Sequence, residues 1–350
     1  MLILVINPGS VSTKLALYSS LRSLREENVR HDDAPGYNQL SLMEQLPLRR
    51  DGIAGFLARA GVKPQDLSAI AARGGVLKPL EGGTYRVNDQ MLQDLKEGKR
   101  AVHASNLGGI LAQYFAAEAS CPAYVVDPVS VDEFTPEARV TGWADLERQS
   151  LFHALNSRAI ARKASATLGK SYDQARLVVV HLGSGISVSA HLHGRVVDVN
   201  NANDEGPFST ERAGSLPVRD VLQSVAESGA DLASTITNRA GLFAYLGTKN
   251  AQEVEKRIGQ GDAQARLVYR AMAHQIAKEI GAMTAVLDGN IDAIVLTGAM
   301  AHSELLTHDI LQQVGFLALV LRYPGEDEME ALAAGVLRVL KGEEEAKNYA

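Results

Sequence analysis

Residues 4–10, Leu-Val-Ile-Asn-Pro-Gly-Ser, and residues 178–184, Val-Val-Val-His-Leu-Gly-Ser, repeat one pattern in the two halves of the chain. In each copy a short apolar run ends in a polar residue and then Gly-Ser. A second pair agrees, because Ser68–Gly75 (Ser-Ala-Ile-Ala-Ala-Arg-Gly-Gly) resembles Asp292–Ala299 (Asp-Ala-Ile-Val-Leu-Thr-Gly-Ala). A strand that leads into a glycine-rich turn exposes backbone amides that can bind phosphate. The two copies predict two related domains with phosphate held between them.

The composition is that of an ordinary globular protein with room for two domains. The 350 residues are 46% hydrophobic and 22% charged, with a net charge of −6. A net negative chain has no general attraction for nucleic acid or for an anionic membrane, so we expect neither as a partner. The single cysteine, Cys121, excludes an internal disulfide and any metal site built from cysteines.

The compartment is predicted from the absence of targeting patterns. The apolar run at residues 1–6 is too short for a signal peptide and has no basic segment before it. No stretch of about 20 apolar residues, the length that spans a bilayer, occurs in the chain. We therefore expect a cytoplasmic protein without a membrane segment.

Strands and helices alternate along the chain, which is typical of an α/β fold. Residues 2–6 and Lys14–Tyr18 are expected to pair as a hairpin, and a second hairpin begins at Leu177–Val180. A hairpin at the start of each half predicts a mixed sheet, since parallel strands need longer crossovers. Apolar residues spaced by three or four predict a long helix at Gln264–Leu287.

Four other segments give weaker patterns. Residues 20–48 are polar without a clear period, so we expect them to decorate the first domain. Leu146–Leu168 is patterned as one long helix that contains His153. A strand is expected at Phe316–Leu321, and the acidic segment Gly342–Ala350 is expected to be a solvated end.

The turn Asn7-Pro-Gly-Ser-Val-Ser-Thr-Lys14 directly follows the first strand. The turn offers the hydroxyls of Ser10 and Ser12, its backbone amides and the ammonium group of Lys14. Such groups can bind the phosphates of a nucleotide. A polar hairpin turn would have a similar composition, but the second copy at Gly183-Ser184-Gly185 favours phosphate binding. His181 takes the place of the asparagine in that copy and is expected to face the phosphates as well.

Two histidines, His191 and His193, are two positions apart in a predicted strand and therefore point to the same face. Two ligands do not make a metal site, so we expect this pair to belong to a solvent-exposed hairpin.

A series of motifs resembles the acetate/butyrate kinase family and runs in order along nearly the whole chain. The forms Asp198-Val-Asn-Asn-Ala202, Glu205-Gly-Pro-Phe-Ser209 and Tyr323-Pro-Gly-Glu-Asp-Glu328 resemble the butyrate branch more than the acetate branch. The other motifs are Ile6-Asn-Pro-Gly-Ser-Val-Ser-Thr-Lys14, Arg73-Gly-Gly75, His103-Ala-Ser-Asn-Leu-Gly108, Val126-Asp-Pro-Val129, Phe152-His-Ala-Leu-Asn156, His181-Leu-Gly-Ser-Gly-Ile-Ser187 and Glu211-Arg-Ala-Gly214.

This resemblance implies a duplicated actin-like ATPase fold, of the kind found in actin, sugar kinases and Hsp70. Each ribonuclease H-like domain would carry a mixed five-stranded sheet flanked by helices. We expect residues 1–160 plus 325–350 to form the first domain and residues 161–324 the second. Nucleotide and substrate are expected in the cleft between the two domains.

The resemblance also implies an activity and its cofactors. The family transfers phosphate reversibly from ATP to a short-chain carboxylate, with Mg²⁺, giving an acyl phosphate and ADP. The butyrate-like motifs make butyrate the expected substrate, so the chain would be a phosphotransferase with a carboxyl acceptor. Dimers or larger homo-oligomers are expected by the same resemblance.

Arg73, His153 and Arg212 are the side chains that the resemblance assigns to phosphoryl transfer. A planar guanidinium suits a trigonal phosphoryl group, and the histidine would donate a hydrogen bond in the transition state. Without the resemblance, Arg73 reads as a surface arginine at a loop and His153 as a core histidine.

Asp127 ends a predicted strand before Pro128, which is the usual place for a carboxylate at the binding edge of an open sheet. It is therefore the best candidate to hold Mg²⁺, directly or through water. Glu328 resembles the second magnesium carboxylate of the family, although Glu326, Asp327 and Glu330 are close in sequence, and Asn7 is expected as a further residue of the metal site. The segment Gly298-Ala299-Met300 matches the adenosine loop, where the family usually has Gly-Gly.

Two alternatives remain open at this stage. The first is a kinase for another short acid, namely isobutyrate, propionate or acetate, since one methylene is worth only about 1–3 kcal/mol in a pocket. The second is a non-enzymatic nucleotide switch on the same fold, which would have no reason to carry both arginines and His153 together.

Overall fold

The computed structural model of the protein describes residues 1–228 and 232–350. The chain divides into two compact units, and each unit has its own sheet and its own helices. The first unit consists of Met1–Val131 together with Asp327–Ala350, and the second consists of Asp132–Glu326.

This division falls earlier in the chain than the boundary after residue 160 that the sequence suggested. The helix Ala154–Thr167 buries Ile160, Ala161 and Ala164 against strand residues of the second unit, such as Val179. Its apolar face therefore belongs to the second core, and the chain segment before it goes with that core.

The first unit contains a seven-stranded mixed sheet. Its apolar strands are β1, β4 and β6, which are parallel to one another, whereas β2 pairs antiparallel with β1 and β3 with β2. The strand order is β12-β5-β6-β4-β1-β2-β3. The strands are β1 (Leu2–Pro8), β2 (Ser12–Ser19), β3 (Arg22–Arg30), β4 (Ala69–Arg73), β5 (Thr84–Arg86), β6 (Ala123–Val126) and β12 (Lys347–Asn348).

Helices cover both faces of this sheet. Successive strand residues point to opposite faces, and accordingly Val125 packs in the cluster with Phe56 and Phe115, while Val126 meets Gly335. A Cβ at Gly335 would lie 2.8 Å from Cγ2 of Val126, so glycine permits this close approach. The helices are α1 (Leu46–Ala60), α2 (Asp89–Glu97), α3 (Asn106–Ala119) and α12 (Glu328–Leu340).

The second unit contains a five-stranded sheet in the order β11-β10-β7-β8-β9. This order corresponds strand for strand to β6-β4-β1-β2-β3 of the first sheet. In both series the first three strands are parallel, and the last two continue as antiparallel neighbours. The predicted duplication and the mixed α/β fold are thus confirmed, and β5 and β12 enlarge the first sheet from five strands to seven. The strands are β7 (Leu177–Leu182), β8 (Ile186–Leu192), β9 (Arg195–Val199), β10 (Ala293–Gly298) and β11 (Leu319–Pro324).

The long helix α10 packs on one face of the second sheet and α5 on the other. Val178 and Val180 face the cluster that contains Met272 and Ile276 of α10, whereas Val179 faces Ala161 of α5. The helices are α4 (Pro136–Arg139), α5 (Ala154–Thr167), α6 (Val218–Ser228), α7 (Leu232–Asn238), α8 (Gly241–Leu246), α9 (Ala251–Gly259), α10 (Ala263–Val286) and α11 (Glu304–Val314).

Several local predictions were wrong. Residues 20–48 contain strand β3, the last strand at one edge of the first sheet, whose mostly exposed side chains give no buried period. The helix expected from residue 146 begins only at Ala154, and the strand expected at 316–321 is displaced to Leu319–Pro324.

The acidic end of the chain is not solvated as expected. Strand β12 pairs with β5, and Tyr349 is buried with its hydroxyl donating to Asp94 at 2.8 Å. His191 is likewise buried, between Tyr172 and Ser189, whereas His193 is exposed at the hairpin turn. No helix in residues 1–228 or 232–350 is both long enough and apolar enough to cross a bilayer.

Candidate functional site

In each unit several predicted site residues lie where parallel strands end, among them Asn7, Arg73 and His181. We call the edge where β1, β4 and β6 end the first carboxyl edge, and the edge where β7, β10 and β11 end the second carboxyl edge. Loops at such edges are the usual ligand sites of open α/β sheets.

A carboxylate joins two strands at the first carboxyl edge. Glu328, the first residue of α12, accepts a hydrogen bond from Nδ2 of Asn7 at 2.6 Å and from Nη1 of Arg73 at 2.9 Å. Asn7 is buried, but the Arg73 side chain keeps 30% of its surface exposed. The structure therefore brings three predicted residues together and leaves the arginine accessible to a ligand.

The turn after β1 is closed by a hydrogen bond of 2.8 Å from the amide of Gly9 to the carbonyl of Ser12. Ser10 and Lys14 are exposed and Ser12 is half-buried. These hydroxyls and the lysine are accessible to solvent at the first carboxyl edge, as a phosphate-binding turn requires.

Asp127 follows β6 at the same edge, and it forms hydrogen bonds with the chain next to β5. Its Oδ1 accepts from the amide of Gly83 at 2.7 Å, and its own amide donates to the carbonyl of Gly83 at 3.0 Å. The backbone of Asp127 has a positive φ of 37°, which is uncommon for a residue other than glycine and is often found at functional positions. One carboxylate oxygen is thus committed to holding the loop.

His103 lies near Arg73 in the first unit. Its Nδ1 accepts from the amide of Ser105 at 3.2 Å and lies 2.8 Å from the hydroxyl of that residue. Burial and then the neighbouring Arg73 charge lower the pKa of His103, so the ring is neutral at neutral pH. A neutral His103 ring places no second positive charge beside Arg73.

A pair of stacked histidines lies at the second carboxyl edge. The rings of His153 and His181 have centroids 4.6 Å apart and planes inclined by 28°. Glu326 faces both, with Oε1 at 3.3 Å from Nε2 of His181 and Oε2 at 3.9 Å from Nε2 of His153. Both predicted histidines therefore belong to one cluster, together with a carboxylate that the sequence indicated only as an alternative metal ligand.

Asn156 contacts both rings of the pair. Its backbone amide donates to Nδ1 of His153 at 3.3 Å, so His153 is the N-cap of α5. The sequence pattern had placed His153 inside the helix. Oδ1 of Asn156 lies 2.9 Å from Nδ1 of His181. A carbonyl oxygen only accepts, so Nδ1 of His181 carries a proton, whereas Nδ1 of His153 carries a lone pair.

The ligand atoms of His153, His181 and Glu326 lie within 4.8 Å of one another, which is close enough for a metal ion. Because Nδ1 of His153 accepts a hydrogen bond, however, the proton of the neutral ring sits on Nε2. A metal ion at Nε2 would require that proton to move and the helix cap to break. In the neutral rings, Nε2 of His153 can therefore donate a hydrogen bond to an anion, whereas Nε2 of His181 keeps its lone pair.

Arg212 rests on the turn that follows β7. A Cβ at Gly185 would lie 2.8 Å from Cζ of Arg212, so only glycine leaves room for the guanidinium. The hydroxyl of Ser209 donates to the carbonyl of Ser184 and accepts from the amide of Arg212 at 3.1 Å. The arginine loop is thus fastened to the predicted phosphate turn Gly183–Gly185, and burial lowers the pKa of Arg212.

The polar segment before Arg212 is held by a second arginine. Arg148 donates to Asp198 at 2.9 Å and to Glu205 at 2.9 Å. Asn200 accepts from the amide of Val188 at 2.6 Å and donates to the carbonyl of Ile186 at 2.9 Å. Segments 198–202 and 205–209 are therefore fixed by these hydrogen bonds, and they hold the chain that leads to Arg212.

The predicted adenosine loop follows β10. Gly298 has a positive φ of 91°, and a Cβ there would meet the backbone of Leu182 at 2.8 Å. Ala299 begins a 3₁₀ turn that runs to His302; Ala299 is exposed, and Met300 is buried. The position that must be glycine is thus Gly298, and the alanine that departs from the family pattern lies on the surface.

Several site residues were missed in the sequence. Asn156 and Arg148 were not predicted as site residues, although Asn156 lies three positions after His153, the spacing of an N-cap and its amide donor. Glu326 was considered only as an alternative metal ligand and not as a partner of the histidines. Arg148 comes from a segment that was expected to be helical.

Comparison with known proteins agrees with this architecture. Acetate kinase from Porphyromonas gingivalis aligns over 97% of this chain and 99% of its own, with a TM-score of 0.81 and 16% identity. A propionate kinase from Francisella tularensis aligns over 95% and 98%, with a TM-score of 0.77 and 16% identity. A ROK hexokinase from Thermus thermophilus aligns over 98% and 100%, with a TM-score of 0.51 and 14% identity. These likenesses define the two-domain, actin-like fold of sugar and carboxylate kinases.

The sequence model of the Acetokinase family matches residues 145–330, more than half of the chain. The protein belongs to the Acetokinase family, whose members are carboxylate kinases. The matched region includes His153, His181, Arg212, the predicted adenosine loop and Glu328.

Proposed function

We propose that this protein transfers phosphate reversibly from ATP to butyrate, giving butyryl phosphate and ADP. Family membership supports a carboxylate kinase. The observation that carries the proposal is a repeated one: each carboxyl edge presents a glycine-rich turn together with an arginine, Arg73 in one unit and Arg212 in the other. Side chains of both edges would serve one reaction.

The chemistry needs positioning more than proton transfer. A carboxylate oxygen of the acid forms a bond to the γ-phosphorus, and the bond from phosphorus to the β–γ bridging oxygen breaks as ADP leaves. Because the acid is already an anion at neutral pH, no general base is needed. In this proposal Arg73 and Arg212 stabilise the equatorial oxygens, and Nε2–H of His153 donates a further hydrogen bond.

The nucleotide is proposed to bind through the two turns. Ser10, Ser12 and Lys14 of the first, and His181 with Gly183–Gly185 of the second, would contact the phosphates. Gly298, Ala299 and Met300 would lie against the adenosine.

The residues proposed to hold Mg²⁺ are Asn7, Asp127 and Glu328, and their oxygen atoms suit this hard cation. Both oxygens of Glu328 already accept hydrogen bonds, yet each carboxylate oxygen has a second lone pair, so the set fits the ion. Bound Mg²⁺ would neutralise charge on the transferred phosphates. Glu326, the competing carboxylate in sequence, faces the histidine pair instead.

Butyrate is proposed over shorter acids because of the motif forms at 198–202, 205–209 and 323–328. The decisive assay supplies ATP, Mg²⁺ and hydroxylamine with acetate, propionate, butyrate or isobutyrate, and compares kcat/KM for hydroxamate formation. The proposal expects the highest value for butyrate, and a clear preference for another acid would replace butyrate while keeping the enzyme class.

Two variants test the arginines. Arg73→Ala and Arg212→Ala should each abolish hydroxamate formation, whereas Arg22→Ala, an exposed residue of β3, should leave it intact. Wild-type protein that hydrolyses ATP but forms no hydroxamate from any of these acids would favour the nucleotide-switch alternative.

We also propose that the protein forms dimers or larger homo-oligomers, which rests on the family resemblance alone. Light scattering after size exclusion would measure the mass directly against the 37.5 kDa of one chain.

A further inference from the structure

Arg49 of α1 is completely buried, yet it lies directly behind the turn that follows β1. Its Nη2 donates to the carbonyls of Gly9 at 2.8 Å and of Ser10 at 3.2 Å. Its Nη1 donates to the carbonyl of Ser12 at 3.1 Å and to the hydroxyl of Thr13 at 2.9 Å. One guanidinium therefore binds the turn at four points.

These contacts fix the direction of the backbone. The remaining carbonyl of the turn, that of Val11, accepts from the amide of His31 at 2.9 Å. The hydroxyl of Tyr37 adds a hydrogen bond of 2.6 Å to the carbonyl of Ser10 and accepts one of 2.7 Å from Arg49. Every carbonyl from residue 9 to residue 12 is thus occupied by protein donors.

The amides of the same turn are arranged differently. In the described part of the chain, the amides of Ser10 and Val11 donate to no protein acceptor. The side chains of Ser10 and Lys14 are exposed. A turn whose carbonyls are all held, while the amides of Ser10 and Val11 have no protein acceptor, offers hydrogen-bond donors to an anion.

The charge of Arg49 is not neutralised nearby. Among residues 1–228 and 232–350 it forms no ion pair, and its other acceptors are the hydroxyl of Tyr37 and the side-chain amide of Gln45. Burial and the Arg49 charge lower the pKa of His31 to about 4, so that ring adds no charge at neutral pH. A buried cation without a counter-ion is costly unless an anion completes it.

We propose that Arg49 is a positioning residue for the phosphate-binding turn, and that its uncompensated charge strengthens the binding of nucleotide phosphates. The inference rests on the proposed function, because it takes the turn at residues 9–14 to bind ATP. A polyphosphate anion would supply the negative charge that this buried guanidinium lacks, through the amides and hydroxyls on the outer side of the turn.

The test compares Arg49→Met, Arg49→Lys and the matched control Arg50→Met. Arg50 is the next residue of the same helix, and its guanidinium stacks 4.0 Å from the ring centroid of Tyr114, away from the turn. Calorimetry with ADP and Mg²⁺ gives Kd, and the hydroxamate assay gives KM for ATP and for the acid separately.

Arg49→Met should weaken ADP binding and raise KM for ATP by about tenfold or more, consistent with loss of charge-assisted contacts. The KM for the acid should change much less, by about twofold at most, and Arg50→Met should resemble wild type. Arg49→Lys keeps the charge and loses the planar fork, so its ADP Kd should fall between those of wild type and Arg49→Met.

Two results would overturn the inference. One is an ADP Kd for folded Arg49→Met equal to that of wild type. The other is an equal weakening in both Arg49 variants with acid KM raised in parallel, which indicates general damage to the fold. If Arg49→Met does not fold, Arg49→Lys decides alone, and wild-type affinity there contradicts the proposal. Wild-type protein that binds no ADP at all would instead contradict the proposed function.

Discussion

The guanidinium of Arg212 lies against the backbone of Gly185, at a distance that leaves no room for a side chain there. An added Cβ would come within 2.8 Å of Cζ and 3.2 Å of the Cβ of Ala202. The turn after β7 and the loop around Arg212 are thus in close contact, and the hydroxyl of Ser209 donates a hydrogen bond from the loop to the carbonyl of Ser184 in the turn.

Gly185→Ala should therefore displace Arg212 without touching its chemistry. We expect kcat to fall by about 10²–10³, comparable to the loss of one transition-state donor, while the far-UV spectrum stays unchanged. Gly281→Ala is the matched control, because its Cβ would meet no atom within 4 Å on α10. Activity of Gly185→Ala within twofold of wild type would show that Arg212 is not needed at this position.

The fold was predictable where local and global signals agree. The β1–β2 hairpin, the strand Ala123–Val126 and the Asn88 cap of α2 follow from apolar runs, turn residues and capping preference. Strand β3 was not predictable, because a sheet-edge strand with mostly exposed side chains has no buried face to leave a pattern.

The site was predictable only in part, for a similar reason. Glycine-rich turns and arginines near strand ends can be recognised in the sequence. Arg49, Asn156 and Glu326 cannot, because their partners lie far away along the chain. Arg49 occurs in the helix segment Leu-Pro-Leu-Arg-Arg, where nothing indicates that the first arginine is fully buried and the second is not. Contacts of that kind come from tertiary packing.

Glu328→Gln should separate two roles of this carboxylate. The amide loses the ion pair with Arg73 and a charge that would assist Mg²⁺, so we expect a lower kcat and a higher Mg²⁺ concentration for half-maximal activity, by about tenfold or more. Titration of Mg²⁺ at saturating ATP measures this. Glu330→Gln, an exposed neighbour on α12, serves as the control. An unchanged Mg²⁺ requirement in Glu328→Gln would remove it from the metal site.

Asn156→Ala should disturb the histidine pair while keeping the backbone cap. The backbone amide still donates to His153, but Nδ1 of His181 loses its acceptor, so its proton is no longer fixed. We expect kcat to fall by about 10–100-fold, with the altered tautomer visible in ¹⁵N shifts of the ring.

Ser157→Ala is the matched control for Asn156→Ala, since the Ser157 hydroxyl is buried without a hydrogen-bond partner. Its removal should leave kcat unchanged and leave stability equal or slightly higher. Equal kcat in the two variants would show that the side chain of Asn156 does not position His181 for the reaction.

Tyr349→Phe tests how firmly the end of the chain is attached. The hydroxyl is the largest cause of the lowered pKa of Asp94, and that carboxylate is buried. Loss of a hydrogen bond to a charged acceptor should lower the free energy of unfolding by about 1.5–3 kcal/mol in urea titrations at pH 7. Tyr245→Phe, an exposed tyrosine, is the control. A solvated chain end would instead give two indistinguishable titrations.

The pH dependence of stability should depend on His191. Burial lowers the pKa of this fully buried ring to about 3, with the Arg158 charge as a second cause. In the unfolded chain the histidine has its ordinary pKa of 6.5, so between these two pKa values the unfolded chain holds more protons than the folded protein. The free energy of unfolding should therefore fall as pH is lowered from 7.5 to 5, with this one group approaching about 1.4 kcal/mol per pH unit below pH 6.

His191→Gln removes the titrating group but keeps a polar side chain between Tyr172 and Ser189. We expect a lower stability at pH 7.5 than wild type and a smaller further loss on going to pH 5. Tyr172→Phe deletes one hydrogen bond to the ring, 2.8 Å from the hydroxyl to Nδ1, and keeps the imidazole, so it should retain a steep loss. Urea titrations of the three proteins at both pH values decide the matter, because parallel losses in all three would mean that other groups control the acid sensitivity.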